Sequence, residues 1–149
     1  YWPIRPLATC TVWIAVDAAT PENGCLRVIS GSHKERRLRR HRTVAAGDVT
    51  LTQELQPDEY DEAQAVDLVL APGQISLHDV FLLHGSEANS SERPRRGMTL
   101  RFMPTSSVFD RALASELYQR LGITDHSVRT LYLIRGIDQS GQNDFRIRH

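Results

Sequence analysis

No apolar run in this chain approaches the roughly 20 residues that a membrane-spanning helix needs; the longest, such as Thr11 to Val16 and Val80 to Leu83, fall far short. Net charge is also lacking. The 18 lysines and arginines are matched by 18 aspartates and glutamates, so there is no global pull toward nucleic acid or anionic membrane, and any charged function must be local. Cysteine is scarce: Cys10 and Cys25 are the only two. They show no Cys-x-x-Cys or other ligand spacing, and their apolar surroundings predict buried free thiols in a reducing cytoplasm rather than a disulfide. There is no internal repeat, no low-complexity segment, no signal-peptide pattern and no initiator methionine before Tyr1-Trp2-Pro3.

What remains describes a globular chain. Its 149 residues suit one well-packed domain and are too few for two of ordinary size. Thr9–Asp17 is rich in β-branched and aromatic residues and reads as a strand, Asn23-Gly24 as a turn, and Cys25–Ser30 as a second strand completing a hairpin. Ala65–Leu70, Ile75–Leu77, Val80–Leu83 and Gly97–Met103 read as further short strands. Many short strands at this spacing predict an antiparallel sandwich, barrel or jelly roll. The period changes near the end. Asp110 is placed to cap a helix carrying Leu113, Leu117 and Leu121, with Gly122 to stop it and a loosely held polar tail after Gly136. The helix is expected to pack outside the sheet.

Between Gly31 and Arg42 the chain is strongly basic, and from Glu54 to Glu62 it is acidic. Such blocks read as solvated loops or, functionally, as a rim attracting an anionic substrate. The polar loop from His84 to Gly97 carries the chemistry. If Val80–His84 and Arg95–Met103 are neighbouring antiparallel strands, the loop brings His84, a good ligand for a borderline divalent metal, next to Arg95, whose planar fork suits a carboxylate. Strand parity places Arg95, Gly97, Thr99 and Arg101 on one face, with room for a small molecule beside Gly97 and Thr99, and Met98, Leu100 and Phe102 on the other.

Tyr1-Trp-Pro, Val12–Asp17, Glu22–His33 and His84-Gly-Ser-x-x-Asn-x-Ser…Arg-Arg-Gly97, in this order and spacing, resemble the phytanoyl-CoA dioxygenase family. The resemblance implies a double-stranded β-helix, or jelly roll, over residues 1–149, with Fe(II), 2-oxoglutarate as cosubstrate and O2. The implied reaction hydroxylates an unactivated carbon of a small-molecule substrate while 2-oxoglutarate becomes succinate and CO2. Carried over, His84 is the second histidine of a two-histidine, one-carboxylate metal site, and Arg95 binds the distal carboxylate of 2-oxoglutarate, with Arg96 the alternative if the register slips. Ser86, Thr11 and Trp13 line the cosubstrate pocket, whereas Asn23-Gly24 and His33 are mainly structural.

One departure bears on activity. The family's His-x-Asp precedes its Tyr-Trp, and this chain has no His-x-Asp. His33-Lys-Glu35 lies too late to replace it, and His78-Asp79 lacks the spacer. His78 also lies six residues from His84, roughly 20 Å along a straight strand. His41, His126 and His149 read as surface histidines. The expectation is therefore an N-terminally incomplete oxygenase domain. A related halogenase, a non-catalytic jelly-roll binding module and a metal-independent cupin-like isomerase stay open. Nucleic-acid and membrane partners are not expected.

Overall fold

A computed structural model describes residues 2–44, 53–122 and 124–145, so Tyr1 and His149 lie outside the described residues. The fold is mainly β with one C-terminal helix. It forms two compact units, one spanning Cys10–Arg101 and the other made from the two ends of the chain, up to Thr9 and from Phe102 onward.

The larger unit contains two three-stranded sheets. In the first, β2 (Cys10–Ala15) lies between β7 (Ile75–Asp79) and β9 (Gly97–Phe102). In the second, β3 (Leu26–Ile29) lies between β6 (Ala65–Leu68) and β8 (His84–Ser86). A separate antiparallel pair joins β4 (His41–Thr43) to β5 (Gln53–Leu55). The β-branched and aromatic character of β2 and β3 suits central strands.

Two expected pairings are replaced. β2 and β3 do not form a hairpin, because β7 and β9 occupy both edges of β2. Pro21–Asn23 instead forms a single 3₁₀ turn closed by Gly24 at φ 74°, and the chain passes into the second sheet. Nor does Val80–His84 run as a strand beside β9. Asp79 stops β7: its carboxylate accepts the Phe81 amide at 2.8 Å and its carbonyl accepts the Leu82 amide at 3.1 Å, so residues 80–82 turn. His84 thus enters β8 in one sheet while Arg95 leads into β9 in the other.

The basic and acidic blocks neutralise each other. The Glu59 side chain is only 2% exposed and is paired with Arg37, Arg40 and, at 3.7 Å, Arg39. Hydrogen bonding from Arg40 leads the effects that lower its carboxyl to about 2. Arg39 also reaches Glu35 at 2.7 Å, and Arg42 pairs with Glu54. A buried carboxylate requires such partners, so these charges are structural. The cysteines are both free, but only Cys25 is buried. Cys10 is exposed because strand alternation sends it to the face opposite Thr11.

In the smaller unit, β1 (Ile4–Arg5) pairs with β10 (Val108–Phe109), and α1 (Arg111–Leu121) packs Ala114 into a core with Ile4 and Phe109. The Asp110 carboxylate accepts the Leu113 amide at 2.9 Å, and Gly122, at φ 64°, ends the helix. The tail is pinned rather than loose: the Asn143 side chain accepts the Phe109 amide at 2.8 Å and donates to the Ser107 carbonyl at 2.9 Å. No helix among the described residues is long and apolar enough to cross a membrane. Asp110→Ala removes the cap and is expected to lower stability by about 1 kcal/mol in denaturant titration.

Candidate active site

Alternation along three strands builds one polar sheet face. Thr11 lies opposite His78, and Trp13 lies opposite Ser76. From β9, Arg101 Nη1 donates to Thr11 Oγ1 at 3.2 Å, and Gly97 sits against the Trp13 indole. A Cβ on Gly97 would fall 2.3 Å from Trp13 Cζ2, so only glycine admits the ring there, and the room expected beside Gly97 for a small molecule is taken by the indole instead. The guanidinium of Arg95, half-buried, lies 5.8 Å from the Trp13 ring centroid, within cation–π range. The opposite face is apolar, with Ile75, Leu77, Met98 and Leu100 all at least 41% exposed.

His84 enters from the other sheet, opposite Val28, with Ser86 two residues on and opposite Leu26. Its Nδ1 lies 2.8 Å from the Leu82 carbonyl oxygen. A carbonyl only accepts, so Nδ1 donates there, which leaves Nε2 as the nitrogen a metal would use. The turn at residues 80–82 folds His84 back onto His78, with ring centroids 5.0 Å apart. The straight-strand separation expected between them is therefore wrong. Burial, followed by the neighbouring His84 and Arg101, lowers His78 to about 4, which leaves a neutral imidazole at neutral pH.

Two groups that look merely structural in the sequence hold the loop joining these sheets. Asn23 is 3% exposed. Its amide donates to the carbonyls of Ala18 at 2.8 Å and Pro94 at 3.3 Å, while its oxygen accepts the Thr20 amide at 2.7 Å. The loop is thereby anchored one residue before Arg95. Gly24 meets the other end: a Cβ there would lie 2.6 Å from the Glu87 carbonyl oxygen. Between them, Ser90 bonds the Glu22 carbonyl through both its amide and its hydroxyl, each at 3.0 Å.

Arg96 is removed from contention as a cosubstrate clamp. It makes a two-pronged ion pair with Asp17, Nε to Oδ2 and Nη2 to Oδ1 at 2.8 Å each, and its amide adds a third bond to Asp17. Those bonds lower Asp17 from 3.8 to about 2. Thr11, Trp13 and Arg95 therefore share one sheet face, while His84 meets it through His78. Parity foreshadowed Arg101 on that face, and the same alternation in Ile75–Asp79 was the signal for Ser76 and His78. Among the described residues, no group of three or more His, Cys, Asp or Glu side chains is placed to hold a metal.

The family model for phytanoyl-CoA dioxygenase matches residues 1–97. The chain belongs to the phytanoyl-CoA dioxygenase family. It is 35% identical over 105 residues to a phytanoyl-CoA dioxygenase domain-containing protein 1 homolog of Caenorhabditis briggsae, covering 67% of this chain and 36% of the relative. Among solved structures, EvdO2 of Micromonospora carbonacea var. aurantiaca, complexed with 2-oxoglutarate, superposes with a TM-score of 0.56 at 31% identity, covering 68% of this chain and 39% of that one. The epimerase SnoN, in complex with Fe3+, alpha ketoglutarate and nogalamycin RO, shares the fold over 92% of this chain and 52% of its own, with a TM-score of 0.57 at 21% identity. The chain thus spans about a third of the length of the curated relatives it matches.

Asn23→Ala leaves the Ala18 carbonyl and Thr20 amide without their buried side-chain partner, so a loss of about 2 kcal/mol is expected in chemical denaturation. Asp17 is held below its ordinary value, so its contribution is present above pH 3.8 and is lost as pH falls toward about 2. Asp17→Asn should remove that part of the acid dependence, read as a shallower fall of stability between these two pH values.

Proposed function

We propose that this chain forms the cosubstrate-binding part of an Fe(II)- and 2-oxoglutarate-dependent oxygenase that hydroxylates an unactivated carbon of a small molecule. The carrying observation is Arg95: its guanidinium lies over the Trp13 ring, beside the close approach at Gly97, on a polar sheet face. A small polar anion suits that environment. Family membership and the 2-oxoglutarate complex of EvdO2 support the reading, as does a mainly β fold with two three-stranded sheets.

The residues fit 2-oxoglutarate better than they fit a complete metal centre. Arg95 would grip the far carboxylate through its planar fork, Trp13 would form the floor of the pocket and keep water from that ion pair, and Thr11 and Ser86 would line it. His84 would hold iron through Nε2, with its orientation set by the Leu82 carbonyl. The described residues supply this one donor, and two more ligands are required. When bound, iron and 2-oxoglutarate supply the oxidising chemistry with O2, and the protein supplies position and dryness.

The competing reading is a non-catalytic jelly-roll binding module, in which His84 and Arg95 are structural groups. Iron decides between them. In the full-length protein, His84→Ala is expected to abolish stoichiometric Fe(II) binding, and Arg95→Ala to raise the Kd for 2-oxoglutarate about a hundredfold, through loss of a charge-assisted clamp. Unchanged metal content in the first or unchanged affinity in the second would refute the corresponding role.

A further inference from the structure

The polar face extends beyond what 2-oxoglutarate requires. Arg95 would take the cosubstrate's far carboxylate, yet a second arginine stands six residues later on the same face of β9, roughly 20 Å along the backbone. Arg101 is fixed there by its bond to Thr11 Oγ1 at 3.2 Å. Thr11 is itself buried and lies opposite His78, so His78, Thr11 and Arg101 form a row across the three strands. His78 in turn touches His84, which places the row at the metal end of the face rather than at the Arg95 end.

His78 is 8% exposed, and its buried Nδ1 finds no hydrogen-bond partner; Ser76 Oγ, one step along the same strand face, is buried and unpartnered as well. An orphaned buried polar atom costs about 1–3 kcal/mol. Two of them beside a fixed guanidinium are accounted for if a polar ligand supplies their partners.

We propose that Arg101, steadied by Thr11 and flanked by His78, is a specificity-determining residue that binds an oxyanion of the primary substrate, a carboxylate or phosphoryl group, beside His84. Its role as a substrate site rests on the oxygenase reading above. A planar guanidinium matches either oxyanion by paired hydrogen bonds. Because the anion sits beside the metal ligand, the substrate carbon presented for oxidation is one close to the charged group.

Calorimetric titration of the full-length protein with two probes, inorganic phosphate and acetate, tests this. It is done in an Arg95→Gln background so that the cosubstrate clamp cannot capture them. Adding Arg101→Gln is expected to weaken the preferred probe at least about tenfold, and Arg101→Lys to weaken it less, because charge survives without the fork. His78→Gln, which keeps a hydrogen-bonding group, should retain binding that His78→Phe reduces. The stronger probe identifies the oxyanion class. In the otherwise unaltered protein, Arg101→Gln should leave 2-oxoglutarate affinity within twofold while Arg95→Gln lowers it. Equal probe affinity with and without Arg101 overturns the proposal, as does a loss of 2-oxoglutarate affinity in Arg101→Gln as large as in Arg95→Gln. If the unaltered protein binds no 2-oxoglutarate but probe binding still depends on Arg101, the cosubstrate reading fails and the oxyanion site stands.

Discussion

The buried amide of Asn23 is the constraint on which the arrangement of the site depends. One side chain bonds the backbone at Ala18, Thr20 and Pro94. It thereby joins the end of one sheet's central strand to the residue that introduces Arg95. Gly24 seats the same turn against Glu87, just beyond β8. The polar loop is thus gripped near both ends from outside, so the relative placement of His84 and Arg95 does not rest on the loop's own stiffness. Leaving these backbone groups unpaired around a buried side chain would be costly, which makes the asparagine difficult to replace by any side chain lacking both a donor and an acceptor.

Charge in this molecule is assigned rather than distributed. Arg96 belongs to Asp17, and Arg37, Arg39 and Arg40 belong to Glu59. Arg95 stands apart, over an aromatic ring. Adjacent arginines therefore have different surroundings: Arg96 locks the start of β9 to the end of β2, and that lock fixes the backbone from which Arg95 reaches the Trp13 ring. A neutral total conceals this local specialisation.

Much of this was legible in the sequence. The helix followed from Asp110, its leucine spacing and Gly122, because those signals act within a few residues of one another. The strand character of β2 and β9, and the facing of Arg95 with Arg101, followed from alternation. What could not be read was partnership. Asn-Gly resembles a hairpin turn locally, but whether two strands pair depends on which edges are already occupied, and β7 and β9 occupy both edges of β2. Likewise, the distance from His78 to His84 depended on the Asp79 side chain bending the chain back, a local hydrogen bond that residue spacing alone does not reveal. The basic run gave no sign that its counterions lay some 20 residues away in sequence, as Arg37, Arg39 and Arg40 do from Glu59.

β9 carries two messages in one segment. Its odd-numbered positions, Thr99 and Arg101, belong with Thr11 and Trp13, while Met98 and Leu100 face the other way, as Ile75 and Leu77 do on the far side of β2. Each residue's meaning is thus set by parity, as in a two-letter reading frame. Deleting a single residue from this strand would exchange the alphabets, turning grease toward the polar face and charge toward the apolar side. Removing two would preserve the frame and merely shorten the word. For this strand, the inheritance of function is less a matter of which side chains are present than of keeping count.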